Sequence, residues 1–282
     1  MPHKLLTHKA SLLILVSIFF SSCTTLKMIG GKGKIGKEIQ RIGTFDEHFT
    51  GLGIYDPSTN EWIYQQNTSK YFTPASNTKL LTYYASVVTL GEYLNTLTYE
   101  IREDTLFFSG TGDPTFLHPA FTTQRAFGFL KNQDTTMALV YVPNLIDNKF
   151  GSGWAWDDYQ YDFQPELSGF PIYGNSATFT NTDTAVAVSP NLFENLVEYV
   201  PGKLVSRAPA YNLFQIGEEA TFDKKNVPFI TSPNVTIDLL ADTLNRKVLK
   251  KEAHQFRNAQ SLAGVKASYL YEIMMKRSDN FY

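Results

Sequence analysis

Two stretches with helical spacing, residues 73–91 and 264–276, bracket a long run of strand-patterned chain, and no other feature restricts the fold as much. That order predicts an α+β, multi-domain protein in which one domain is split by an insertion with its own turns and strands. In the first stretch Thr73 suits an N-cap and Pro74 the first helical position, where a missing N–H is harmless. Leu81, Tyr84, Ala85 and Val88 then recur on one face, and Gly91 is suited to the left-handed residue that closes a helix. In the second stretch Val265, Tyr269 and Ile273, with Leu262, fall on one side. Between them, residues 98–102, 105–109, 136–142 and 184–188 read as strands. Upstream, residues 51–55 and 61–65 are β-prone around Asp56-Pro-Ser-Thr-Asn60, which has turn chemistry, so a hairpin is predicted to lead into the first helix.

The 282 residues are 43% hydrophobic and 18% charged, enough to bury a substantial core. A net charge of −2 gives no general attraction to nucleic acid. Lys4 and Lys9 precede an apolar run over residues 12–20 that is too short to span a bilayer, so residues 1–22 are predicted to be an export signal. Small residues just before Cys23, the only cysteine, resemble a bacterial lipoprotein cleavage box. Cys23 then becomes the lipidated N-terminus of a periplasmic cell-envelope protein anchored to a bacterial membrane; the alternative is an ordinary secretory signal, and either way the mature protein lies outside the cytoplasm. A single cysteine rules out an internal disulfide. Residues 23–37 are rich in Gly and Lys and are expected to be a tether. Inside it Gly31-Lys-Gly-Lys-Ile-Gly36 imitates a dinucleotide-binding pattern and residues 31–37 imitate a P-loop. Glu38 stands where a P-loop needs Ser or Thr, and neither pattern follows a strand.

The chemistry concentrates at Ser76 and Lys79, three residues apart at a helix start. A serine hydroxyl is a weak nucleophile at neutral pH, and a lysine one turn along can be its base if its pKa is lowered by desolvation or a nearby cation. A helix N-terminus adds N–H groups and partial positive charge where an oxyanion develops. Ser-x-x-Lys occurs once in the chain but is common by accident; Ser278-Asp-Asn280, directly after the second helix, is its natural companion. Three other Ser-x-Asn triplets, Ser58-Thr-Asn60, Ser189-Pro-Asn191 and Ser232-Pro-Asn234, read as turns. Asp113, in a Gly-Asp-Pro turn, and Asp157 and Asp158, beside Trp154 and Trp156, are given structural roles, as are His118 and His254. The five histidines offer no zinc-spaced pair, and no metal or cofactor is expected.

With these residues in view the chain resembles the low-molecular-mass class C penicillin-binding proteins, serine-type D-alanyl-D-alanine carboxypeptidases and endopeptidases. The segment from Tyr71 to Thr82 resembles the family's nucleophile segment. Ser109-Gly-Thr-Gly-Asp-Pro-Thr115 and Gly153-Trp-Ala-Trp-Asp-Asp158 resemble its inserted-domain signatures, and Arg277-Ser-Asp-Asn-Phe281 its second motif. Ser278 lies 202 residues after Ser76, a separation that the class C proteins fill with inserted β domains. The resemblance implies a penicillin-binding, β-lactamase-like transpeptidase fold: catalytic domain over residues 38–96 and 259–282, β-rich insertion over 97–258. It implies that Ser76 forms an acyl-enzyme with peptidoglycan stem peptides and with β-lactams, that Lys79 moves its proton, that Ser278 relays a proton to the leaving group, and that Asn280 binds the substrate amide.

The family's third motif, Lys-Thr-Gly or Lys-Ser-Gly on a strand beside the cleft, does not follow Ser278 in this sequence, and Lys34-Ile-Gly36 precedes Ser76. The chain is therefore expected to be truncated at its C-terminal side. Two other functions stay open at this stage: an envelope lipoprotein of the same fold that binds peptidoglycan or a partner without catalysis, and a β-lactamase, which the 202-residue separation disfavours.

Overall fold

A computed structural model describes residues 33–39, 41–45, 47–182 and 185–282. The export signal, Cys23 and most of the expected tether lie outside them. The chain divides into two compact units between Ala75 and Ser76. In the first, residues 33–39 form a short helix, α1, which takes in the last part of the expected tether. The predicted hairpin follows: β1 (Leu52–Asp56) pairs antiparallel with β2 (Glu61–Gln66), with a bulge between Ile54 and Tyr55. Phe49 stacks on Phe72 at 5.1 Å beside it.

The second unit begins at Ser76, within the 3₁₀ turn Ala75–Thr78 that runs into α2 (Lys79–Thr89). It continues through β3 (Tyr93–Arg102), β4 (Thr105–Gly110), α3 (Arg125–Lys131) and β5 (Ala138–Tyr141). Then come β6 (Ser176–Asn181), β7 (Val186–Ser189), β8 (Val197–Val200), β9 (Val205–Arg207), β10 (Phe214–Gly217) and β11 (Lys224–Pro228). The chain closes with α4 (Pro233–Leu244), β12 (Val248–Lys250), β13 (Gln260–Lys266) and α5 (Ala267–Arg277).

Five strands form a mixed sheet in the order β12-β5-β4-β3-β13. The β3–β4 hairpin is antiparallel, whereas β4, β5 and β12 are parallel and need the crossovers that α3 and α4 supply. Two three-stranded sheets, β11-β6-β7 and β8-β10-β9, pack beside it. One apolar core unites them. Leu97, Leu106, Phe108, Leu139 and Tyr141 of the large sheet meet Ala126 and Leu130 of α3, and Leu239, Leu240 and Leu244 of α4. Phe179, Phe214 and Phe193 extend the core into the smaller sheets, Phe179 and Phe193 each about 5 Å from Phe214. A satellite cluster of Leu94, Phe121, Val265, Ala267 and Leu270 seats α5 against β3 and β13.

The structure departs from the sequence reading at several points. Position 96/97, expected to separate catalytic domain from insertion, falls inside β3, and β13 pairs with β3 in the same sheet as β4, β5 and β12. The second helix starts at Ala267, because residues 260–266 are held in the sheet as β13; its buried face is Ala267, Leu270 and Met274, with Tyr269 exposed. The β-patterned middle also contains α3 and α4. Ser232, read as a turn, is the N-cap of α4: its Oγ accepts the Val235 N–H at 3.2 Å, with Pro233 in the first turn. Among the described residues no helix is long and apolar enough to cross a membrane, and no cluster of His, Cys, Asp and Glu could hold a metal ion.

Candidate active site

The first helix begins later than its sequence suggests. Ala75 has φ +46°, a left-handed conformation that no right-handed helix can include, so the chain turns there before the helix starts. Ser76 follows it in the 3₁₀ turn, and the N-cap of α2 is Thr78, not Thr73. Gly91 is not the left-handed closing residue, since the C-cap, Leu90, is extended. No residue of α2 is buried among the described residues, and Leu81 is 72% exposed. Its inner end is held by Tyr83, whose ring meets Tyr271 of α5 edge-on at 5.3 Å.

This contact aligns the start of α2 with the end of α5. The 3₁₀ turn brings Ser76 over Lys79, and Lys79 Nζ donates to Ser76 Oγ at 3.3 Å. The same ammonium donates to Asn280 Oδ1 at 2.5 Å, closing a loop of 201 residues. Asn280 Nδ2 in turn donates to the Phe163 carbonyl at 3.2 Å, so the side chain that receives Lys79 is fixed at both ends. Ser278 reaches this region by a different device. It is the C-cap of α5, with φ +55°, and its N–H returns to the Met274 carbonyl; Asp279 N–H goes to the same oxygen at 3.2 Å. This left-handed turn throws the chain sideways off α5. Ser278, Asp279 and Asn280 thereby line one pocket of about 510 Å³.

Ser76, Lys79 and Asn280 are thus joined by hydrogen bonds. Ser278 lines the pocket with Asn280, while its hydroxyl bonds to neither Ser76 nor Lys79. The carboxyl of Asp279, between the two motif side chains, accepts the Phe281 N–H at 2.8 Å and is pushed up by burial. His118, assigned a surface or packing role from sequence, lines the same pocket. Its Nδ1 accepts the Ala120 N–H at 3.1 Å, its Nε2 lies 3.1 Å from the Tyr282 hydroxyl, and Gly174, at φ +66°, presses its bare Cα side against the ring. Burial, reinforced by the charge of Arg277, lowers His118 to about 4, so the imidazole is neutral at neutral pH.

The remaining sequence candidates have structural surroundings. Asp113 is buried and its Oδ1 accepts the Thr115 N–H at 2.9 Å, a side-chain turn. Its Oδ2 has no partner among the described residues. Asp157 and Asp158 sit in the first turn of the 3₁₀ helix Trp156–Gln160, where negative charge faces free N–H groups. His254 lies in the loop between β12 and β13 with its side chain buried, stacked on Phe107 at 4.0 Å and bonded to Glu100 at 3.0 Å. The sequence reading missed Phe163, whose contribution is a backbone carbonyl and so carries no residue-type signal, and the pocket wall formed by β6 and β11.

The profile of the D-Ala-D-Ala carboxypeptidase 3 (S13) family matches residues 32–196. The chain belongs to this family. The matched span includes Ser76 and Lys79; the second motif lies beyond it, so the bond between Lys79 and Asn280 is what ties Ser278-Asp-Asn280 to the nucleophile. No curated protein matches the chain. Among solved structures, penicillin-binding protein 4 from Haemophilus influenzae superposes with a TM-score of 0.60 at 19% identity, covering 82% of this chain and 60% of its own. The same protein in complex with a β-lactam gives a TM-score of 0.53 at 18% identity, with 82% and 59% covered. The fold is that of a penicillin-binding protein, and the chain spans about three-fifths of the length of that relative.

Proposed function

We propose that this protein is a serine-type D-Ala-D-Ala peptidase that acts on peptidoglycan stem peptides through an acyl-enzyme on Ser76, and that penicillins acylate the same hydroxyl. The observation that carries the reading is the position of Lys79 Nζ between Ser76 Oγ and Asn280 Oδ1. In its neutral form the amine at this contact takes the serine proton as Oγ attacks the carbonyl carbon of the penultimate D-alanine. The C–N bond then breaks, the proton passes to the departing amine by way of Ser278, and water releases the ester. Asn280 serves two ends here: its Oδ1 fixes the lysine, and its position beside the pocket suits it to meet the substrate amide. Either carboxypeptidase or endopeptidase cleavage fits this scheme, since both break the same kind of bond.

The test is covalent labelling. A fluorescent penicillin should bond to the protein, Ser76→Ala should abolish the label, and Lys79→Ala should slow its appearance by about 10²–10⁴-fold, the range for a positioned base. Labelling that survives Ser76→Ala would overturn the assignment. A folded protein that binds stem peptide but never takes the label would support the non-catalytic alternative. We further place the protein in the cell envelope, lipid-anchored through Cys23; incorporation of labelled palmitate should disappear in Cys23→Ser, and its persistence would refute the anchor.

A further inference from the structure

Glu166 is a buried carboxylate, 6% exposed, on the long connection between β5 and β6, and the peptidase scheme gives it no task. Its Oε2 accepts three hydrogen bonds: from Lys149 Nζ at 2.8 Å, from the Thr231 N–H at 2.6 Å and from the Thr231 hydroxyl at 2.7 Å. Lys149 Nζ also donates to the Thr231 carbonyl at 2.5 Å, and the Leu167 N–H donates to the Lys149 carbonyl at 2.7 Å. One carboxylate thus ties both ends of the loop over residues 149–166 to Thr231, which directly precedes the N-cap of α4. A buried charge is costly unless its partners are well placed, and charge-assisted bonds fix direction as well as distance. The fixed segment includes Phe163, three residues before Glu166. The Phe163 side chain is 47% exposed and stacks on Tyr161, so core packing does not aim its carbonyl. The residues after it do. Gln164 gives its N–H to the Tyr161 carbonyl at 3.0 Å and its side-chain amide to the Ala155 carbonyl at 2.6 Å, and Pro165 has a fixed φ. The Glu166 carbonyl accepts Asn175 Nδ2 at 2.7 Å. The Phe163 carbonyl then accepts Asn280 Nδ2, and Asn280 Oδ1 accepts Lys79 Nζ.

We propose that Glu166 is a positioning residue for the peptidase reaction: held by Lys149 and Thr231, it aims the Phe163 carbonyl at Asn280 and so keeps Asn280 Oδ1 on Lys79. This deepens the peptidase reading and rests on it for the reaction that is affected. Glu166 acts at a distance, through the backbone of residues 163–166 and then through one side-chain amide. Its loss leaves Ser76 and Lys79 on their own turn but frees the group that fixes the lysine. Acylation should therefore slow while the reversible binding that precedes it is kept, the mark of an interaction needed in the transition state.

The experiment follows penicillin acylation over a range of concentrations, which separates the binding constant from the acylation rate. Glu166→Gln keeps the shape of the side chain and removes the charge that draws three donors to it. Its acylation rate should fall about tenfold, the value of one modest charged hydrogen bond, with the binding constant within about twofold of the parent. Thr231→Val, which removes a single donor, should slow acylation less, and Thr231→Ser, which keeps the hydroxyl, should restore the parent rate; these two carry the test if Glu166→Gln does not fold. A double-mutant cycle with Asn280→Ala separates positioning from general destabilisation. With Asn280 already removed, Glu166→Gln should slow acylation by less than about a further twofold. A further tenfold loss there, or a parent rate in folded Glu166→Gln and Thr231→Val, would overturn the proposal. A second readout needs no reaction: by NMR the Asn280 side-chain amide should exchange its bonded proton about tenfold more slowly in the parent than in the folded Glu166→Gln or Thr231→Val variant. Equal exchange would also overturn the proposal. A protein that takes no penicillin would count against the peptidase reading alone, and the exchange at Asn280 would still decide this one.

Discussion

Gly110, the last residue of β4, is the position where one added carbon should be felt most. Its missing Cβ would stand 2.8 Å from Phe170 Cβ and 2.9 Å from Phe170 Cα, and closer still to the Gly169 carbonyl oxygen. Two of these three atoms are backbone, so relief requires moving the loop that returns from β5 rather than rotating a side chain. Gly110→Ala should therefore cost about 1–3 kcal/mol for overpacking. Displacing the loop also weakens the bond from Gly112 N–H to the Gly169 oxygen, 3.0 Å long, worth about 0.5–1.5 kcal/mol. The lower backbone entropy of alanine offsets roughly 0.5–1 kcal/mol. The net loss is about 0.5–4 kcal/mol, centred near about 2 kcal/mol, and at roughly 2–4 °C per kcal/mol for a unit of this size that central value lowers the midpoint by about 4–8 °C. Thermal unfolding followed by circular dichroism measures it. Because the displaced loop also carries the Phe163 carbonyl that holds Asn280, penicillin labelling should slow in the folded variant at low temperature. A midpoint within about 2 °C of the parent would refute the argument that the approach of Gly110 to Gly169 is rigid.

Two pH effects follow from the buried groups. The Arg102 guanidinium beside Glu100, helped by His254 and by the Asn258 N–H, holds this carboxyl down at about 2 against the opposing effect of burial, from an ordinary value of 4.5. A depressed carboxyl stabilises the fold above its unfolded pKa, so this contribution is complete above pH 4.5 and is lost as pH falls towards 2. Urea unfolding at stepped pH should show that acid limb, flattened in Glu100→Gln; an unchanged slope would exclude Glu100 as its source. His118, lowered to about 4 from 6.5, should stay neutral in the folded protein at pH 5.5, where an unfolded chain is mostly protonated. Its stabilising contribution is full above pH 6.5 and declines as pH falls towards 4. An imidazole resonance that titrates near 6.5 in the folded state would contradict its burial.

What could be read from the sequence was local. The β1–β2 hairpin was legible because Asp56-Pro-Ser-Thr-Asn60 has turn chemistry whatever surrounds it. Ser76 and Lys79 were legible as a pair because three residues is one turn in a 3₁₀ or α-helix alike, even though the helix start was misplaced by the left-handed Ala75. α4 was missed although Ser232 and Pro233 are a capping signal and Thr236, Leu239, Leu240 and Leu244 have helical spacing; the surrounding β pattern masked them. α3, seven residues long, is too short to show a period. The contact between Lys79 and Asn280 lies beyond any periodicity, and only the resemblance of the two motifs to a known family joined them in advance. The pocket wall formed by β6 and β11 had no signal at all, because it depends on the register of β11 against β6.

The left-handed backbone at Ser278 decides how its role can be tested. Alanine is the usual choice for deleting a hydroxyl, but at φ +55° an alanine keeps the Cβ strain and loses the short polar side chain that helps a residue tolerate such a position. Glycine adopts this conformation without steric cost and is the commonest residue at such a helix end. Ser278→Gly therefore removes the hydroxyl while leaving the path of Asp279 and Asn280 as it is. A loss of acylation in that variant belongs to the missing oxygen, whereas the same loss in Ser278→Ala mixes chemistry with geometry. The backbone at this one residue thus prescribes its own control experiment.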